Sequence, residues 1–384
     1  MMQEGQISPV VIGMLKIMVE RSASDLILTA GFPPAVKLDG QLLPIGQRSL
    51  DAAQTRAIAQ TLMSAGQRAE FERTHECNFA IAPAGIGRFR VNVFMQQACI
   101  GLVLRSIREA VPTLAELAMP SVIADIALAR TGIVLVVGAT GSGKSTSCAA
   151  MVDHRNRNAA DHIVTIEDPI EFVHVHQRSI VTQREIGSDT ESWAVALKNA
   201  MRQSPDVIVM GELRDRAAVE HALSFAETGH LCLATMHSTN AYQAIDRIIN
   251  LFGEDRRGTL LMALAFNLRA VISQRLVPRQ SGLGRVAAVE VLLNTPLIAE
   301  LIAKGDLAHV RDQMRKMREY GMQSFDQHLF DLHEAGLIAY DQALRSADSV
   351  NDLRINIKLN SRLSGSGGRG IDALRGQSDI GLQR

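Results

Sequence analysis

The chain has 384 residues, enough for two domains of the usual ~100–200 residues each and too many for a disulfide miniprotein. Lys plus Arg total 40 and Asp plus Glu total 40, so no net charge draws the chain to nucleic acid or anionic lipid, and a nucleic-acid role would need a local basic patch. Hydrophobic residues reach 47%, yet the firmest apolar run, Ile133 to Val137, is far short of the roughly 18 residues that cross a bilayer, and no secretory signal pattern opens the chain, so a soluble cytoplasmic protein is expected.

In chain order, Val11, Met14, Leu15 and Met18 recur at the spacing of one helical face and predict an amphipathic helix. Ser24 to Leu28 and Val36 to Leu38, separated by Gly31, Pro33 and Pro34 and followed by Asp39-Gly40, predict a hairpin. A helical stretch is expected from Asp51 to Arg73. Two strand-like runs follow, Gly87 to Phe94 and Cys99 to Ile107, the first alternating Arg88, Arg90 and Asn92 with Phe89, Val91 and Val93. These elements define a small α+β domain over residues 1–112, with 113–130 as a linker punctuated by Pro120.

Beyond it the pattern changes. Ile133 to Val137, Ile163 to Ile166, Val207 to Met210 and Leu231 to Thr235 are apolar runs separated by helical segments, which predicts βαβ units on a mainly parallel sheet, an α/β domain over residues 131–358. Asp215 reads as a helix N-cap and Gly229 as the stop of the same helix. After residue 255 the pattern reads as helical. Ten of the 24 residues from Ser361 onward are Gly or Ser, so a disordered tail is expected over 359–384. Cys77, Cys99, Cys148 and Cys232 are scattered, form no C-x-x-C pair, and read as reduced packing residues.

Gly138-Ala139-Thr140-Gly141-Ser142-Gly143-Lys144-Ser145 fits G-x-x-x-x-G-K-[ST] between an apolar strand and a helix, the context this motif requires. Its glycines let backbone N–H groups turn toward a phosphate, Lys144 reaches the β- and γ-phosphates of ATP, and Ser145 ligates Mg2+; Thr146 completes the expected binding set. Val207 to Met210, Gly211 and Glu212 have the form of a buried strand ending in a carboxylate beside that loop. Gly211 stands where many P-loop proteins place an Asp, so Glu212 is expected to act through a magnesium-bound water or on the attacking water. Thr165-Ile-Glu-Asp-Pro-Ile-Glu171 gathers three carboxylates at another strand end, able to polarise water near a metal-bound phosphate. His230 and His237 flank the run Leu231 to Thr235, so that both imidazoles are expected to report on the nucleotide. His174 and His176 suit a metal pair on one strand face but lack a third ligand.

The ordered set of P-loop, acidic box through Phe172, Gly211-Glu-Leu-Arg-Asp215 and the His box Thr228-Gly-His230 through His237 resembles the secretion and pilus ATPase superfamily, most closely the PilT/PilU type of type IV pilus retraction ATPase, over roughly residues 5 to 355. The resemblance implies a homo-hexameric ring, a PAS-like N-terminal domain and a RecA-like ATPase core. It implies an inner-membrane pilus platform protein as partner, at the inner face of the cell membrane. It makes Glu171 the catalytic base, Glu212 the acidic residue near magnesium, His230 and His237 sensors, and Arg88, Arg90 and Arg105 arginines that reach the phosphates across a domain or subunit boundary. Assembly ATPases of the superfamily carry a tetracysteine zinc site, absent here, which favours retraction. The family helix Ala-Ile-Arg-Asn-Leu-Ile-Arg-Glu reads Leu297-Ile-Ala-Glu-Leu-Ile-Ala-Lys304, and Ala98 replaces an arginine. Both changes point to the PilU-like side of the family and to work beside a paralogous retraction ATPase. An accessory ring that binds a primary motor is the competing expectation. A nucleic-acid translocase is disfavoured by the zero net charge and the lack of a basic aromatic strip.

Overall fold

A computed structural model describes residues 7–38, 41–107 and 110–362. The chain divides into two compact units, one of Met1–Val111 with Glu171–His174, the other of Pro112–Ile170 with Val175–Arg384. The turn at Asp39-Gly40 and residues 363–384 of the expected tail lie outside the described residues.

The first unit opens with α1 (Pro9–Glu20), whose predicted stripe Val11, Met14, Leu15 and Met18 is buried. Strands β1 (Asp25–Leu28), β2 (Ala35–Leu38) and β3 (Gln41–Pro44) form an antiparallel meander. The expected helical stretch from Asp51 to Arg73 consists of two helices, α2 (Ala52–Leu62) and α3 (Ala65–Thr74), because Ser64 and Gln67 exchange the reciprocal hydrogen bonds of a capping box and start a second helix. The unit closes with β4 (Glu76–Ile81), β5 (Arg88–Gln96) and β6 (Cys99–Ile107), giving the order β3-β2-β1-β6-β5-β4. Along β5 Phe89, Val91 and Val93 are buried while Arg88, Arg90 and Asn92 alternate on the other face. The β5–β6 hairpin turns on Gln97 and Ala98, both left-handed, at φ 46° and 59°.

The second unit runs α4 (Val122–Ala127), β7 (Gly132–Val137), α5 (Lys144–Asn158), β8 (His162–Glu167), β9 (Ile180–Glu185), α6 (Trp193–Ala200), β10 (Val207–Met210), α7 (Arg216–Glu227), β11 (Leu231–Met236), α8 (Ala241–Asn250) and α9 (Glu254–Asn267). It continues with β12 (Leu268–Pro278), β13 (Arg285–Leu293), α10 (Pro296–Ala303), α11 (Leu307–Lys316), α12 (Phe325–Glu334), α13 (Tyr340–Ser346) and α14 (Val350–Asn360). The strand order is β13-β12-β7-β11-β10-β8-β9, parallel except for β13. Every residue of β7, β10 and β11 is buried, as a parallel sheet covered on both faces demands. Asp215 accepts from the N–H of Ala218 and caps α7, and Gly229 leaves it at φ 92°, as expected.

Three readings are corrected. The region after 255 is not all helical: β12 and β13 form a long antiparallel pair that extends the sheet beside β7. Residues 113–130 are more than a connector, because Ile123, Ile126 and Ala127 of α4 are buried in the core of this unit with Met151 and Val152 of α5. Helix α14 reaches Asn360, so the expected tail begins in a helix. The cysteines form no disulfide, and burial pushes the thiols of Cys148 and Cys232 up to about 12. No helix among the described residues is long and apolar enough to cross a membrane.

Candidate active site

The P-loop leaves the C-terminal end of β7, a central strand, and enters α5 through Gly143 at φ 89°; Gly141 turns at φ 76°. These values open the left-handed region that a loop with converging N–H groups uses and that Gly adopts without a Cβ clash. A Cβ on Gly138 would collide with the Ser142 hydroxyl and lie 2.7 Å from the Gln274 carbonyl oxygen, so the loop closes on its own floor only because that position is Gly. Lys144 is buried and its ammonium donates to the carbonyls of Gly138 and Ala139, each at 3.0 Å. Ala139 and Thr140 line the exposed rim, and Ser145 and Thr146 occupy the first turn of α5.

The C-terminal ends of β7, β11 and β10 lie side by side, with Val137 level with Met236 and Ala234 level with Met210. This register places His237 and Glu212 with Lys144. The imidazole Nδ1 of His237 lies 3.4 Å from Lys144 Nζ, and its Nε2 lies 3.3 Å from Glu212 Oε1. Arg247 holds the His237 carbonyl at 2.7 Å from α8. The other Glu212 oxygen accepts from Arg214 Nε at 2.7 Å, and that bond raises the Arg214 pKa above its ordinary value.

Gly211 has a steric reason to replace the usual Asp. A Cβ there would lie 3.2 Å from the Trp193 ring and 3.3 Å from the Ile166 carbonyl oxygen, while its own carbonyl accepts from the Thr235 hydroxyl. In the acidic box Thr165 donates to Glu167 at 2.7 Å, Gln183 donates to the same carboxylate at 3.1 Å, and the N–H of Ile170 donates to the buried Glu185 at 3.1 Å. Glu171 is exposed and belongs to the segment grouped with the first unit.

The other histidines stand apart from this cluster. His230 does not join this cluster within one chain: its carbonyl pairs with Gly132 at the start of β7, and its Nδ1 lies 3.1 Å from Thr228 Oγ1 and the Phe225 carbonyl. Seven residue steps along β11 separate the two histidines by about 23 Å at ~3.3 Å per residue. His174 and His176 do not lie on a strand; His176 Nδ1 accepts from the N–H of Val181, and no group of three metal-ligand side chains occurs among the described residues. In the first unit Arg90 stands opposite Arg105 on β6, which binds Asp25 at 2.8 Å, and Arg88 lies two residues along the same face of β5. Asp25 offsets the repulsion of two like charges directly across a ladder.

Gln274 was not foreseen. It is buried on β12, one residue past the last β7 pairing (Val137 with Ser273), and its amide donates to the Ser142 carbonyl at 2.6 Å. Nothing local in the sequence marks it, since only the fold brings β12 under the P-loop. The residues fit a magnesium nucleotide: glycine-cleared backbone, a lysine at the loop base, a hydroxyl at the helix start and a carboxylate opposite.

A mainly parallel sheet whose central strand runs into a P-loop, faced by a carboxylate and an imidazole, defines a P-loop nucleotide-binding protein. The chain belongs to the family described as Type II/IV secretion system protein, which matches residues 3–336. It is 53% identical over 91% of both chains to the type IV pilus ATPase PilU of Pseudomonas aeruginosa. It is 40% identical to the pilus retraction ATPase PilT of the same organism, over 87% of this chain and 97% of that one. The crystal structure of the pilus retraction motor PilT with bound ADP superimposes with a TM-score of 0.84 at 39% identity, covering 90% of this chain and 99% of that one.

Proposed function

We propose that the chain is an ATPase that uses ATP hydrolysis to drive, or help drive, type IV pilus retraction. It would act as a homo-hexamer at the cytoplasmic face of the inner membrane, against a pilus platform protein. The observation that carries the reading is His237 set between Lys144 of the P-loop and Glu212 of the facing strand. Relatives named as pilus ATPases along nearly the whole chain support the same reading.

The loop N–H groups and the start of α5 bind phosphate, and Lys144 exchanges the carbonyls of Gly138 and Ala139 for phosphate oxygens. Ser145 and, through water, Glu212 would hold Mg2+, which when bound neutralises charge on the transferring phosphoryl group. Glu171 is the proposed base for the attacking water. Arg88, Arg90 and Arg105 are proposed counter-charges for phosphate oxygens, and His230 a sensor at the far end of β11. A Lys144→Ala protein should lose magnesium-dependent hydrolysis, and Glu212→Gln or Glu171→Gln should keep ATP binding while turnover falls about 10²-fold or more. A purified protein that forms no ring and shows no Lys144-dependent ATPase overturns the reading.

A second reading, an accessory ring for a paralogous motor, is favoured by α10. That helix carries Ala299 and Ala303 in place of the family arginines and pairs Lys304 with Glu300 at 2.5 Å. If Lys144→Ala abolishes retraction in cells whose primary motor is intact, the accessory reading fails.

A further inference from the structure

We propose that Gln274 is a positioning residue for the P-loop: its side-chain amide fixes the Ser142–Gly143 peptide so that the Gly143 N–H faces the phosphate site. The inference rests on the ATP-binding reading above and adds to it a residue outside the P-loop and its facing acidic and histidine motifs.

Gln274 is buried in β12, beside β7, and its Nε2 donates to the Ser142 carbonyl at 2.6 Å. Both ends of the loop are built around this residue. A Cβ on Gly138 would lie 2.7 Å from the Gln274 carbonyl oxygen, and one on Gly143 would lie 3.0 Å from its Nε2. In a planar trans peptide the carbonyl and the following N–H point in opposite directions. With the Ser142 carbonyl tied down to the sheet, the Gly143 N–H points up out of the loop, beside the first turn of α5, where a phosphate is bound. Gly143 sits at φ 89° with no Cβ to lock its rotation, so a glycine peptide at this position turns over easily unless something holds it.

The bond is one-sided. Gln274 Oε1 is buried with no hydrogen-bond partner, so the residue is kept for its donor. A buried amide with an orphaned oxygen is less stable than an apolar side chain of the same shape, which argues against a purely structural reason for glutamine here. The strand that supplies it is itself fixed on both sides. Ser273 donates to the buried Glu290 at 3.0 Å, and Arg275 binds Asp348 at 2.6 Å and the Ser346 carbonyl at 3.0 Å.

The test uses the full-length protein and fluorescent ATP and ADP analogues, with Gln274→Leu and Gln274→Glu. Gln274→Leu keeps the volume and removes the donor. Its nucleotide dissociation constants should rise at least tenfold while circular dichroism and the melting temperature without nucleotide stay near the parent values. Gln274→Glu keeps the shape and makes the donor titratable, because a protonated carboxyl donates to the Ser142 carbonyl and a carboxylate repels it. Its affinity relative to the parent should recover at least tenfold between pH 8.5 and pH 6, a change that a packing role would not produce; other titrating groups of the site act on both proteins and cancel in the ratio. Parent-like affinity of folded Gln274→Leu, or a pH-independent ratio for Gln274→Glu, overturns the proposal, as does failure of both variants to fold. A parent protein that binds no nucleotide overturns the ATPase reading instead.

Discussion

His237 and Lys144 meet nitrogen to nitrogen, with Nδ1 of the ring 3.4 Å from the ammonium. An ammonium only donates, so Nδ1 must be the lone-pair nitrogen and Nε2 must carry the proton, which then points at Glu212 Oε1, 3.3 Å away. The ring therefore links the phosphate-binding lysine to the carboxylate on the neighbouring strand. His237→Ala breaks the link at its centre. We expect kcat to fall ~10²-fold with a much smaller change in ATP affinity, read from steady-state ATPase assays beside equilibrium binding. Equal losses in both would place His237 in ground-state binding.

Gly211 is fixed by its neighbours, so restoring the commoner side chains there should harm the protein. Gly211→Ala pushes a methyl against Trp193 and the Ile166 carbonyl and should cost about 1–3 kcal/mol in chemical denaturation. Gly211→Asp adds a charge in the same gap and should abolish folding or soluble expression. A Gly211→Asp protein with parent stability and activity would show that the gap opens readily.

Stability should depend on pH through His328. Its ring is buried and its Nδ1 accepts from the N–H of Val289 at 2.8 Å; burial lowers its pKa to about 4 from 6.5. The unfolded chain therefore binds the proton that the folded chain refuses. Stability is fully present above pH 6.5 and is lost as pH falls toward 4, by up to about 3 kcal/mol. His328→Gln should flatten this part of the stability profile measured by denaturant titration at pH 7, 5.5 and 4.5.

Ala98 sits at φ 59° in a two-residue hairpin loop where a Cβ costs about 1 kcal/mol. Ala98→Gly should stabilise the protein by ~0.5–1 kcal/mol and raise the denaturation midpoint without changing ATPase activity. A lower midpoint would mean that the Ala98 methyl makes a contact that outweighs the backbone strain.

The nucleotide loop and the strands β7, β10 and β11 were legible because each is a largely apolar run with a chemical group at its end, as at Val137 or Met210; β9, Ile-Val-Thr-Gln-Arg-Glu, is parallel too but too polar to stand out. The pair β12–β13 was hidden because β12 carries Arg269, Ser273, Gln274 and Arg275, which break the strand pattern. Three of these four satisfy partners far away in sequence, Ser273 on Glu290, Gln274 on Ser142 and Arg275 on Asp348, and such pairings leave no local signature. The break between α2 and α3 was readable: Ser64 and Gln67 have capping-box spacing, and the apolar residues around them masked it. Flanking a strand says nothing about which end faces a ligand, so the sequence could not show that Leu231 to Met236 set His230 apart from His237 within one chain.

Trp193 is the sole tryptophan of the chain, and its ring edge rests against the backbone at Gly211, one residue before Glu212. Its indole Nε1 is buried with no hydrogen-bond partner while the ring as a whole is half-buried, so the turn contributes directly to the surroundings that set its emission. The protein therefore carries its own optical probe at the strand end that bears Glu212, and its intrinsic fluorescence will follow events at that turn without a dye or a mutation.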